Sequence, residues 1–410
     1  MTQIGIVRAA INTGVTGTQD FRDPNMTETP NAAIFILTNA VTNATPIDTA
    51  IFGFGFVTGA TERFAMTCRS TSGLADTSAR RRSITDGVVF DIDDSNVIIG
   101  QGDFDSFLSD VGSGAGIRIN ITNDFTTANL ITIILLSVPD AITGIYTTGA
   151  DINDTTVVSG FGFAPDVLIG CSPNSDIPTG TNPLLISLGF AVNGGDQFCF
   201  ATRELNGAAS GSPSFRISSD RLIAQCSSTG VEEWGSEITS WDADGFTATQ
   251  RTDGDGLDEI AYLALDLGGL SAWCGTVSSP TSTGNQSITT PAFTPMAVLQ
   301  LLTNMEAVDT ASNTGLAGSW GVSAFNTTTE YSNTVSIEYA STTTDTQSLT
   351  DDIAVNLPTD AGVSQCLASF VSMDANGWTL NHTGVTATGN PKIWIGLAIE
   401  EEGGTTTTTS

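Results

Sequence analysis

The sequence has almost no cation to spare. Among 410 residues Lys392 is the only lysine and His382 the only histidine, and 13 basic side chains stand against 44 acidic ones, a formal charge of −31. So negative a chain repels a nucleic-acid backbone, which excludes that class of partner. One lysine and one histidine rule out most His triads, Schiff bases and His-rich metal centres. No apolar run reaches the roughly 18 residues of a membrane-spanning helix. The best, "LITIILLSV" (Leu130–Val138), has the length of a strand. The start, "MTQIGIVRAAINTG", lacks the basic and apolar regions of a secretory signal, so the expectation is a chain made in the cytoplasm, without membrane insertion. Cys68, Cys171, Cys199, Cys226, Cys274 and Cys366 are dispersed with no C-x-x-C pair. That spacing suits neither a zinc site nor a disulfide framework and reads as free buried thiols.

What remains is β chemistry. Gly, Thr, Ser and Asn fill the gaps between apolar runs, and long Ala/Leu/Glu/Lys blocks are absent. The acidic excess would repel itself in dilute buffer. At roughly 1 M salt the screening length falls to about 3 Å and the repulsion largely disappears. An acid-rich, lysine-poor surface resembles those of proteins from extreme halophiles.

The chain repeats itself. "TPNAAIFILTNAV" (Thr29–Val41), "SGFGFAPDVLIG" (Ser159–Gly170) and "TPAFTPMAVLQLL" (Thr290–Leu302) are three versions of one segment. Each is followed by a Gly-aromatic strand: "FGFGFV" (Phe52–Val57), "SLGFAV" (Ser187–Val192) and "GSWGVS" (Gly318–Ser323). An Asp-led step follows ("TDGVVF", "SDRLIA", "DDIAVN"), and each unit closes on an apolar strand ("NLITIILLS", "EIAYLALDL", "KIWIGLAIE"). The expectation is an all-β chain of three tandem antiparallel β-sandwich domains, jelly-roll or Greek-key-like, of about 130 residues and about eight short strands each. The units span residues 1–140, 141–270 and 271–402, with a Gly/Thr-rich tail at 403–410. The short joins predict a rigid three-domain rod. The first unit, the most diverged, is the expected docking domain.

"SWDADGFTATQ" (Ser240–Gln250) and "SMDANGWTLNH" (Ser372–His382) are the repeat's most conspicuous copies, and they raise the question of chemistry. Acids beside a glycine could ligate calcium or form a carboxylate pair. In the first unit, "SFLSDVGSGAGIRIN" puts Leu108 where Asp242 stands and keeps only Asp110, while the third has Asn376 for Asp244. Such drift favours a turn. Asp242 and Asp244 would then bond the turn backbone, Gly245 would supply a positive φ, and Phe246 would enter the core. No catalytic residues emerge, and the expectation is a non-enzyme. Calcium is the only cofactor the sequence suggests. Its candidate ligands are Asp253, Asp255, Asp258 and Glu259 in "TDGDGLDE", with Asp242 and Asp244. The spacing falls short of a full calcium-loop pattern, and an acidic hairpin tip is the simpler reading. His382 occupies a repeat position held by Gln250 and reads as a surface strand residue. The one basic run, "ARRRS" (Ala79–Ser83), reads as a salt-bridged loop or a subunit contact.

The succession "GFGFAPDVLIG…SLGFAV…SDRLIA…SWDADGFTATQ…IAYLAL" resembles repeats in structural proteins of tailed viruses. Together with the charge signature, the resemblance implies a virion protein from a virus of halophilic archaea. Its place would be the particle surface, as a capsid spike or decoration or as a tail or baseplate fibre. It implies a homo-oligomer partnered by capsid or tail proteins of the same virion, touching host surface glycan or S-layer. The family offers no catalytic residues to carry over. The alternative from another class is a carbohydrate-binding module, or a glycan-hydrolysing one that uses carboxylates.

Overall fold

The computed structural model describes residues 1–73, 77–181, 183–207, 213–252, 258–311, 318–337, 346–359, 364–385 and 390–403. Among them there is no helix, and strands assemble into six antiparallel sheets. The first large sheet runs, in spatial order, Gln3–Ala10, Leu130–Ser137, Ala32–Thr38, Ala50–Val57, Arg63–Ser70 and Ala79–Ile84. The second repeats that order with Asp140–Thr147, Glu259–Asp266, Val167–Ser172, Leu184–Val192, Gln197–Glu204 and Ser214–Ser219. The third does so with Ala272–Ser278, Ile393–Glu400, Pro295–Met305, Gly318–Asn326, Glu330–Ile337 and Thr346–Asp351. Each is accompanied by a four-stranded sheet. The first of these is Gly17–Asp23, Ala115–Asn123, Ile98–Leu108 and Val89–Ile92. Ten strands per sheet pair, rather than eight, come from each third of the chain.

Burial explains which strands the sequence writes as unbroken apolar runs. Ala32–Thr38, Ala50–Val57, Leu184–Val192 and Gly318–Asn326 are buried at every position. Their side chains alternate between two cores. Ala33, Phe35 and Leu37 join Phe21, Ile117 and Ile119 of the facing four-stranded sheet. Ile34 and Ile36 point the other way, into a cluster that also holds Ile169, Leu188 and Leu263 of the second large sheet and Leu299, Val322 and Leu397 of the third. The outer strand Ser364–Asp374 is half wet and alternates. Gly55 and Gly189 mark where a connection crosses a large sheet. A Cβ there would lie 2.3 Å from the Val88 carbonyl oxygen and 1.8 Å from that of Leu222.

The expected rod is therefore wrong: the three large sheets face one another around a common apolar core. Trp320 of the third sheet marks the centre. Its ring lies 4.7 Å from Phe52 of the first sheet and 5.7 Å from Phe200 of the second, centroid to centroid. The edges are joined as well. Residues Gly180–Thr181 add a short strand to Ala79–Ile84 of the first sheet, and Ile47–Asp48 add one to Thr346–Asp351 of the third. In the same place on the second sheet, Asp309 donates its backbone N–H to Ile217 O at 2.8 Å. Its carboxylate takes the N–H and hydroxyl of Ser219 at 3.0 and 2.6 Å. The loans run from second to first, first to third and third to second, so they close in a cycle. A rod would have left each apolar inner face in water; closure covers all three at once.

Candidate functional site

In the repeated turn the carboxylates are already spent. Asp242 accepts the hydroxyls of Ser240 and Thr247 at 2.7 and 2.9 Å, and Asp374 accepts those of Ser372 and Thr379 at 2.8 and 2.7 Å. The sequence placed Asp242 on the turn backbone; it instead clasps hydroxyls from both strands of the hairpin. Asp244 does bond backbone, but of a neighbouring loop, accepting Gly160 N–H and Gly162 N–H at 3.0 and 2.6 Å. Phe246 and Trp378 are fully buried.

The glycine is required by a close approach. Gly245 and Gly377 have φ of 148° and 140°, and a Cβ there would lie 1.9 Å from Val158 O or 1.8 Å from Ile288 O. Gly114, with φ 86° and Asp23 O at 1.8 Å, is the matching residue in the first third of the chain. There the turn is longer, and Asp110 accepts the N–H groups of Gly112 and Gly114 at 2.6 and 3.0 Å. Three turns with different acids thus preserve one backbone contact.

The calcium candidates do not converge on a site. Asp253 and Asp255 lie outside the described residues. The Asp258 backbone carbonyl accepts the Thr148 N–H at 3.0 Å, and its own N–H donates to Thr148 Oγ1 at 3.3 Å. Glu259 uses its carboxylate to accept Ile177 N–H at 2.6 Å, strapping down the loop that lends Gly180–Thr181 to the first sheet. Among the described residues, no group of three or more His, Cys, Asp or Glu side chains is placed to hold a metal.

His382 is not on the surface. It is 1% exposed, and its ring stacks 6.2 Å from Trp394. Gln286 donates its amide to Ser278 O, which turns its own oxygen toward His382 Nε2 at 2.8 Å. The imidazole is therefore neutral with its proton on Nε2, and burial pushes its pKa down to about 4. The unfolded chain binds the proton more readily between the ordinary value near 6.5 and 4. The contribution to stability is thus full above pH ~6.5 and lost as pH falls through 4, about 3 kcal/mol at most. Urea midpoints measured from neutral to acid pH should show this loss. His382→Gln, copying Gln250 of the preceding repeat, should flatten it; an unchanged acid slope in the variant would show that other groups cause the loss.

The Arg run is also relocated. Ala79–Ile84 is a strand, not a loop, and its guanidinium groups join parts of the same chain. Arg81 donates to Pro183 O at 2.7 Å and Asn174 O at 3.2 Å, Arg82 to Asn96 O at 2.7 Å, and Arg80 to Asn206 Oδ1 at 3.0 Å. The other cations are held too, from Arg63 on Asp103 at 2.9 Å to Lys392 on Glu306 at 2.7 Å. The exposed surface is left to its carboxylates. The six cysteines are free and buried, and burial pushes Cys68 up to about 12, which makes it an inert thiol.

Sequence reasoning passed over Arg8, which is held by several polar partners at once. Its side chain is 3% exposed and stacks 4.1 Å over the Tyr331 ring. It donates to Thr132 Oγ1, Asp351 O, Asp352 Oδ1 and Ser332 O at 2.7–3.0 Å. Nothing in "GIVRAAI" distinguishes this arginine from a solvent-facing one. What these sites offer is cohesion: hydroxyls, carbonyls and carboxylates that satisfy one another, without a paired acid and base around an open cleft. No protein-family model matches the chain, and a search of curated proteins finds no match.

Proposed function

We propose that the chain is a structural protein of a virion surface, adapted to high salt, a spike or decoration and not an enzyme. Three tandem β-sandwich domains of jelly-roll type, arranged as a covalent trimer, make one compact block. The cyclic exchange of edge contacts, two of them short strands, around a shared apolar core carries this reading. It spends three repeats on rigidity and leaves the chemistry-bearing side chains in structural bonds. Both connections between repeats lie at one end of the block with residues 2 and 402, where Thr2 N–H reaches Glu402 at 3.0 Å and Ser271 N–H reaches Glu400 at 2.8 Å. Docking by either end then engages all three repeats, which replaces attachment through the first alone. A block of this symmetry suits a threefold position on a particle built from capsid or tail proteins, with loops at the free end toward host glycan or S-layer.

The test is the chain's place in density of an assembled particle. The expected result is one copy per threefold position on the outside. A free protein that cleaves glycans, with cleavage abolished in Asp242→Asn, would overturn the reading in favour of a hydrolase.

A further inference from the structure

The last residues of three corresponding strands, Ser70, Glu204 and Ile337, lie opposite Ala50, Leu184 and Gly318 in their sheets, so they are equivalents under the cyclic arrangement. Equivalent positions come close together only near the axis that relates them. Glu204 is 0% exposed there, and so is Ser70. Among the described residues, the Ser70 hydroxyl is close enough to hold down the carboxyl's affinity for protons, although the two side chains do not reach hydrogen-bond geometry. Glu204 Oε1, Glu204 Oε2 and Ser70 Oγ have no hydrogen-bond partner among the described residues. No arginine compensates: Arg203 turns away to Glu233 at 3.0 Å, and Arg81 is committed to Pro183 O and Asn174 O. An ionised carboxylate buried with bare oxygens costs several kcal/mol and must be neutralised.

We propose that Glu204 and Ser70, at the seam between the first and second repeats, form a binding site for one monovalent cation, sodium or potassium. The donor set is oxygen only, which suits a hard ion. Charge selects its valence. Glu204 supplies a single negative charge, and the nearby Cys68 thiol is neutral, so a divalent ion would leave a buried positive charge of its own. Burial lifts the Glu204 carboxyl to about 7, so near neutral pH it exchanges a proton for a cation at little cost. The site rests on the high-salt part of the proposed function only for its occupancy, since a weak site fills when salt is abundant.

Two measurements test it. Protein crystallised from rubidium chloride should show anomalous density beside the Glu204 carboxylate. Melting temperatures in sodium, potassium and choline chlorides at matched ionic strength should rise with the two metal ions beyond the rise with choline. The excess should be about 2 °C for each tenfold increase in cation above its dissociation constant. Glu204→Gln should abolish that excess and keep the general salt response. Absent rubidium density together with identical melting in all three salts would overturn the site and leave Glu204 holding a proton. A metal-specific excess without any general salt response would uphold the site while removing the high-salt adaptation from the proposed function.

Discussion

Trp320→Ala is expected to destabilise the chain by about 3–5 kcal/mol, the largest effect of any single truncation. The indole is fully buried and meets aromatic rings from both other repeats, Phe52 edge-on and Phe200 tilted. Removing it opens a cavity at the point where three sheets converge. Phe52 sits opposite Cys68 and Phe200 opposite Leu188 in their own sheets, so neither neighbour can collapse inward without moving its sheet. Because the core draws on all three repeats, the loss should lower the midpoint of one cooperative urea transition, seen alike by fluorescence and circular dichroism. The contrary result is a stepwise transition in which the variant shifts only one step. That would mean the repeats fold as independent domains that merely touch.

Much of this architecture is written in the sequence, but in two different scripts. Strand positions and repeat order follow from apolar runs and turn residues, and the all-β class with them. The runs "AAIFILT" and "LLISLGFAV" also say more than strand: a sheet with one wet face would alternate, as Ser364–Asp374 does. An unbroken run demands a second cover, and three such runs in three repeats demand that the repeats cover one another. The rod expectation overlooked that demand. The exchanged strands were not legible at all. Ile47–Asp48 and Gly180–Thr181 are two residues long, with no pattern to betray pairing, and their partners lie 299 and 98 residues away in the chain (Asp48 with Gln347, Gly180 with Arg82). The side-chain errors share one cause. His382 and Asp242 were placed by residue type, whereas their surroundings come from other strands: Gln286 and Trp394 for the histidine, Thr247 across the hairpin for the aspartate. Glu204 is the same case, since its predicament depends on Ser70, more than a hundred residues earlier.

Arg8→Met should cost about 2–4 kcal/mol, and the reason lies in how the cycle is closed. The first and second repeats are joined by the chain at residues 138–139, and the second and third at residues 267–271. The seam between first and third has no covalent link, and a set of buried polar contacts spans it. Arg8 bridges from Thr132 to the carbonyls of Asp351 and Ser332. Thr38 and Thr350 bond at 2.7 Å, and Asn333 meets Thr132 at 3.0 Å. Methionine keeps the apolar length of the side chain but leaves those two carbonyls without their donor. The half-exposed Asp352 can return to water, so the ion pair itself contributes little and the stranded carbonyls dominate. Burial already lowers the arginine to about 10, so the guanidinium sits there at some cost and is retained for its geometry. Arg8→Lys keeps the charge without the planar fork and should recover less than half of the loss. Hydrogen exchange separates this from a general weakening: amides of Thr346–Asp351 and of the lent residues 47–48 should exchange faster, while those of Ala79–Ile84 at the linked seam keep their protection. Equal acceleration at both seams would show that Arg8 stabilises the fold as a whole and that closure of the cycle does not depend on it.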